Sequence, residues 1–244
     1  MSTSSRLHFR RGAGLCLAAA LLVAEASAQT RPRDPFVFRT VLKENTSTTQ
    51  ACTAANGCMN RLVAVLLAPQ MTALYSTLTG TLYLTRNAVP QDGNLTYSHT
   101  QYGGRLQWPG TSGGTNLHRN VEDAPWTFLQ AGSPLASRVV YRGFELSGTN
   151  QEIVTLKHDI VAGANVVSVH ETPEYVAVGG NPGLRRTFVV SGLAAGQSLR
   201  LHLSGQVRPE TWTSTVGGTL AGTSPVLLNI TENGVTVITG SWQP

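Results

Sequence analysis

Charge is scarce in this chain. Only 13% of its 244 residues are Asp, Glu, Lys or Arg, far below what the charged positions of a coiled coil require. No block of like charge occurs and 41% of the residues are hydrophobic, so the chain has the apolar surface that disordered chains lack. No apolar run reaches the about 20 residues that a membrane-crossing helix needs. No His-Glu-x-x-His, Cys-x-x-Cys or phosphate-binding glycine loop is present, which removes common signatures of zinc enzymes and nucleotide binders. No fixed-period repeat is present either, which argues against a propeller or a solenoid.

What is present begins with an export signal. Arg6, Arg10 and Arg11 form a basic stretch, an apolar run of about ten residues follows at 15–24, and Ala26-Ser27-Ala28 has the small-x-small pattern of a cleavage site. This is the layout of a secretory signal peptide over residues 1–28, with Arg10-Arg11 leaving a twin-arginine route open. Removing 28 of the 244 residues leaves 216, and with Arg6, Arg10, Arg11 and Glu25 gone the formal charge falls from +5 to +3. A +3 surface without a Lys/Arg cluster is a poor footprint for nucleic acid. The expected product is a secreted or periplasmic protein with no membrane span. Cys52 and Cys58 remain after cleavage, and in an oxidising compartment a local disulfide is the expected reading; a metal or redox pair is the alternative.

The rest reads as strands. Short β-branched and aromatic runs bounded by Gly, Pro, Asn and Ser recur along the chain. Residues 62–67 carry no polar side chain, as in a strand buried on both faces. Residues 78–85 and 199–203 alternate with period two, and Asn233-Gly234 is the turn expected to join the last two strands. Residues 69–76 are the most helix-like piece and are equally compatible with a turn and strand. The sum is an all-β chain of about 11–13 strands with little or no helix, arranged as one large antiparallel β-sandwich over 29–244. The least regular stretch, 87–137, is rich in Gly, Pro, Thr and Asn; long irregular segments in compact β domains are functional or loosely ordered.

Candidate chemistry is sparse. Glu171 and Glu174 form the closest pair of acids of interest, suited to divided acid and base work if their surroundings separate their pKa values, although an extended chain points them to opposite faces. Solvated acids at a strand end are the plainer alternative. His99 sits in the irregular stretch and is the histidine selected for a functional role. No His pair has metal-ligand spacing, so neither a metal nor a cofactor is expected. Tyr97, Trp108 and Trp126, with His118 and Arg119, offer flat rings and hydrogen-bond donors of the kind that grip sugars. Burial beneath a long loop is the commoner fate of such rings.

Several blocks are familiar in order. DPFVFRTVL at 34–42 resembles the opening of an all-β domain of secreted bacterial multidomain proteins. That domain accompanies c-type cytochrome, trehalose-utilisation-type and keto-glycoside-hydrolase or sugar-oxidation modules. Residues 60–83, Asp92-Gly93 with His99, Tyr141-Arg142-Gly143, residues 171–175 and residues 183–188 are similar to its later landmarks. The His-Gly-Pro element of the family is replaced here by His99-Thr100-Gln101, and the Cys52–Cys58 stretch is an insertion. The resemblance implies an exported accessory module of carbohydrate processing that binds a glycan or a partner protein through 87–130. Two alternatives stand beside it: a glycoside lyase or hydrolase using His99 with Glu171 or Glu174, and a structural subunit of an extracellular assembly.

Overall fold

Alternation of apolar and polar residues becomes strand after strand in the computed structural model, which describes residues 37–43, 58–67, 71–87, 96–98, 105–109, 116–120, 122–149, 151–203, 205 and 207–243. No helix occurs among them, so none is long and apolar enough to cross a membrane. The described strands lie in one compact unit, Asp34–Pro244. Residues 1–28, expected to be a signal peptide, and Cys52, Asp92 and His99 lie outside the described residues.

The chain starts with β1 (Val37–Lys43), β2 (Cys58–Leu67), β3 (Met71–Ser76), β4 (Thr81–Arg86), β5 (Thr96–Ser98), β6 (Arg105–Pro109) and β7 (Asn116–Arg119). These make a seven-stranded sheet of order β5-β6-β1-β2-β3-β4-β7. The second sheet takes β10 (Arg138–Ser147), β11 (Ile153–Ala162), β12 (Asn165–Val178), β13 (Asn181–Ser191), β18 (Gly234–Trp242) and β15 (Glu210–Val216), neighbours in that order. The third has five strands in the order β16 (Thr219–Ala221), β17 (Leu227–Ile230), β14 (Gln197–His202), β8 (Trp126–Gln130) and β9 (Ser133–Leu135). Every pairing is antiparallel except β1 with β6, which is parallel. The fold is all-β and sandwich-like.

One core joins the three sheets. Val63, Val65, Ala73 and Leu82 come from the first sheet, Leu156, Val169, Phe188 and Ile238 from the second, and Phe128, Leu199, Leu201 and Leu228 from the third. Fully burying such side chains stabilises the fold by roughly 1.5–3 kcal/mol each. Leu62, Ala64, Leu74, Tyr83 and Leu84 form a second buried cluster. Strand β2 therefore feeds both clusters with alternate residues, as its continuous apolar run led one to expect.

The structure differs from the sequence expectation at three places and resolves a fourth that was left open. Eighteen strands are described rather than 11–13, because 87–137 contributes the short strands β5 to β9 and 210–221 contributes β15 and β16. Of the two readings left open for 69–76, helix-like or turn and strand, the structure has the strand, since the stretch contains β3, whose six residues are all buried. The alternation over 78–85 is interrupted: 77–80 is a turn, and a register shift pairs Leu74 with Leu84 but Tyr75 with Leu82. The extra residue sends Leu82 into the main core and Leu84 into the second cluster. Finally, Asn233-Gly234 does not close a hairpin, since β17 and β18 belong to different sheets. Asn233 instead spans Leu193, accepting from its N–H at 2.8 Å and donating to its carbonyl at 2.9 Å.

Candidate functional site

Strict alternation along β13 turns Leu184, Arg186 and Phe188 inward together, which puts a guanidinium in the core. Arg186 is 1% exposed. The inward row of β12 supplies its counter-charge, Glu171, which faces Phe188 across the strand pair. Arg186 donates to Glu171 through Nε at 2.6 Å and Nη2 at 3.0 Å, and Nη2 also reaches Thr81 Oγ1 at 3.1 Å. Tyr75 donates its hydroxyl to Glu171 Oε1 at 2.8 Å, and the guanidinium lies 5.0 Å from the Phe188 ring centre. Two-pronged charge-assisted bonding of this kind is the strong form of the interaction. Burial works against the charge on Arg186, but Glu171 and Tyr75 outweigh it and raise its pKa. Burial first and Glu171 second push the Tyr75 hydroxyl well above its usual range.

Beside this network lies His158, turned inward from β11. Its ring is 5.5 Å from that of Trp126, and with Tyr75, Tyr141 and Glu171 it lines a water-sized cavity. Burial pulls its pKa down to about 4, against the attraction of Glu171.

A second carboxylate, Glu210 at the start of β15, gathers donors from two sheets and a loop. His118 Nδ1 of β7 stands 2.9 Å from Oε2, Trp242 Nε1 of β18 donates to the same oxygen at 3.3 Å, and the Gly205 N–H after β14 donates to Oε1 at 2.8 Å. Trp212 and Trp242 meet the His118 ring at 5.9 and 5.8 Å. Burial lowers the His118 pKa although Glu210 opposes it. For Glu210 burial raises the pKa, but the His118 bond and charge lower it further, and the net direction is down. The pair is therefore a carboxylate bonded to a largely neutral imidazole.

No family model, characterised protein or solved structure matches the chain. The chemistry of the site rests on its own geometry.

That geometry disperses the candidate residues. Glu171 is buried with both oxygens engaged, whereas Glu174 is exposed and bonded to Arg185 at 3.0 Å, so the two acids face no common substrate. Trp126 is buried, donates Nε1 to the Gly80 carbonyl at 3.0 Å and packs edge-on against Phe188; its ring is core rather than a stacking platform. His118 is buried as well. Arg119 is half-buried, 5.8 Å from the Tyr83 ring centre. Tyr97 on β5 and Trp108 on β6 belong to paired strands at one edge of the seven-stranded sheet, while His118 and Arg119 on β7 belong to its other edge, with β1, β2, β3 and β4 between. The expected six-residue contact set is thus divided. Cys58 opens β2. Among the described residues no group of three or more His, Cys, Asp or Glu is placed to hold a metal. Sequence reading missed Tyr75, Arg186 and Glu210. Arg186 alone left a trace, as a charge at an inward position of an alternating run.

Proposed function

We propose that the chain is an exported accessory module of a carbohydrate-processing system, binding a glycan or a protein partner of that system. One observation carries this reading. The β5–β6 hairpin from the irregular stretch gives the seven-stranded sheet one of its edges, and it bears Tyr97, Gln107 and Trp108 within a few residues of one another. Tyr97 pairs with Leu106, and Trp108 lies two residues beyond Leu106 along β6. His99 follows Ser98, the last residue of β5. The family resemblance of the sequence blocks supports the same system. His118 and Trp126 leave the contact set, and Arg119 becomes a separate question.

The alternatives draw less support. The enzyme reading needs Glu171 as an available acid, yet that carboxylate is committed to Arg186 and Tyr75. The assembly reading needs open strand edges, yet β10, β15 and β7 each carry a register shift in the pairing that ties them to their sheets, and β5, β9 and β16 have three residues each. Bulges and short edge strands are the features that blunt edge-to-edge pairing.

A glycan-array screen tests the proposal. The exported chain should bind at least one glycan, and Trp108→Ala or Tyr97→Ala should abolish that binding with an unchanged melting temperature. Absence of any bound glycan, with no partner captured from a sugar-processing system, defeats the reading. Equal binding by both variants moves the contact away from the β5–β6 edge.

A further inference from the structure

The turn 77–80 between β3 and β4 is pressed onto the six-stranded sheet. Gly80 has a φ of 60°, and a methyl group built on it would stand 2.6 Å from Val139 Cγ1 and 3.0 Å from His158 Cδ2. Its N–H donates to the Ser76 carbonyl at 2.9 Å, and its carbonyl accepts from Trp126 Nε1 at 3.0 Å. Below the turn lies His158, 2% exposed, with no hydrogen-bond partner for Nε2. A small cavity lies at this contact, lined by both Gly80 and His158.

The groups around this imidazole leave it little to bond. Tyr75 from β3 and Glu171 from β12 face the same cavity, as does Tyr141 from β10. Glu171 already takes Tyr75 and both prongs of Arg186. Arg186 from β13 repels a positive charge on His158, and His170 does so weakly; Asp159, next to it in β11, attracts one but is bonded to Arg142 and Ser168.

We propose that His158 makes this joint acid-sensitive: a proton on its ring places a charge and an unmet donor beneath turn 77–80, and the turn lifts off the six-stranded sheet. The idea is independent of the glycan reading. The closed joint resists the proton, with a His158 pKa of about 4, whereas an open, hydrated histidine titrates near 6.5. Opening therefore grows about tenfold per pH unit through this window, roughly 300-fold across it.

Amide exchange in the full chain tests this, read at the Gly80 N–H from pH 7 to 4 and corrected for intrinsic exchange. The Gly80 opening constant should rise as pH falls and should stay above that of the Leu228 amide in β17, which reports the core. His158→Leu should keep the joint shut and flatten the Gly80 profile. His158→Gln is the second variant, for the case in which leucine prevents folding. A flat wild-type profile overturns the proposal. So does an opening constant at Gly80 equal to that at Leu228, which means global unfolding alone, or an undiminished rise in a folded variant.

Discussion

Arg186 is tolerated in the core because every strong interaction it needs is built around it: a carboxylate gripped at two points, a threonine hydroxyl and an aromatic face. Such a pair is weak evidence of net stabilisation, but breaking it leaves a buried, uncompensated charge, which costs about 3–5 kcal/mol. Glu171→Gln should therefore lower the unfolding free energy by about that much in urea titrations. The double variant Glu171→Leu with Arg186→Met should recover most of the loss, since replacement of both charges by apolar groups of similar volume is often near neutral. Trp126 belongs to the same residue scale. Trp126→Ala should cost about 3–5 kcal/mol by opening a cavity, measured by the same titration, so any loss of ligand binding in that variant would follow from unfolding.

At the scale of elements, the turns decide how strands pair. The loop between β12 and β13 is Gly179-Gly180, with φ of 57° and 83°, the two positive values of a type I′ hairpin turn. The loop between β8 and β9 has the same form, with Ala131 at φ 49° and Gly132 at 79°. Alanine in this left-handed region costs roughly 1–2 kcal/mol, while Asn-Gly is the preferred pair there. Ala131→Asn should raise stability by about 0.5–1 kcal/mol, seen as a melting temperature about 2–4 °C higher per kcal/mol for a chain of this size. The bulges of the edge strands act at the same scale, twisting the exposed backbone so that it offers a poor template to another chain.

For the whole molecule, buried histidines and carboxylates set how stability follows pH. His158, with a pKa of about 4, and His118, lowered in the same direction, bind fewer protons in the folded state than in the unfolded one. Their neutral forms therefore support the fold fully above pH 6.5, and that support is lost as pH falls toward 4. His158 alone accounts for roughly 3 kcal/mol of this loss. Glu210, lowered by its donors, adds stability above its unfolded pKa that disappears at still lower pH. The urea midpoint of the wild type should fall between pH 6.5 and 4, and His158→Leu should make that decline shallower. A decline of equal slope in both proteins would show that His158 does not control it.

The amino-acid sequence alone determined the class of the fold. Period-two alternation and β-branched runs are local properties, so strands such as β1, β11, β13 and β14 could be read without a partner, and so could the burial of β2 on both faces. Tertiary structure decided everything that depends on which strand lies beside which. Asn233-Gly234 looked like a hairpin because its residues suit one, but β17 and β18 pair with other strands in different sheets. Tyr97, Trp108, His118 and Arg119 lie close in the sequence, yet the sheet order sends them to opposite edges. Glu171 and Arg186 are separated by a hairpin, and Tyr75, ninety-six residues from Glu171, meets it only because two sheets pack face to face. Local chemistry follows from neighbours along the chain; a buried charge network follows from neighbours across it, and long-range packing alone brings those together.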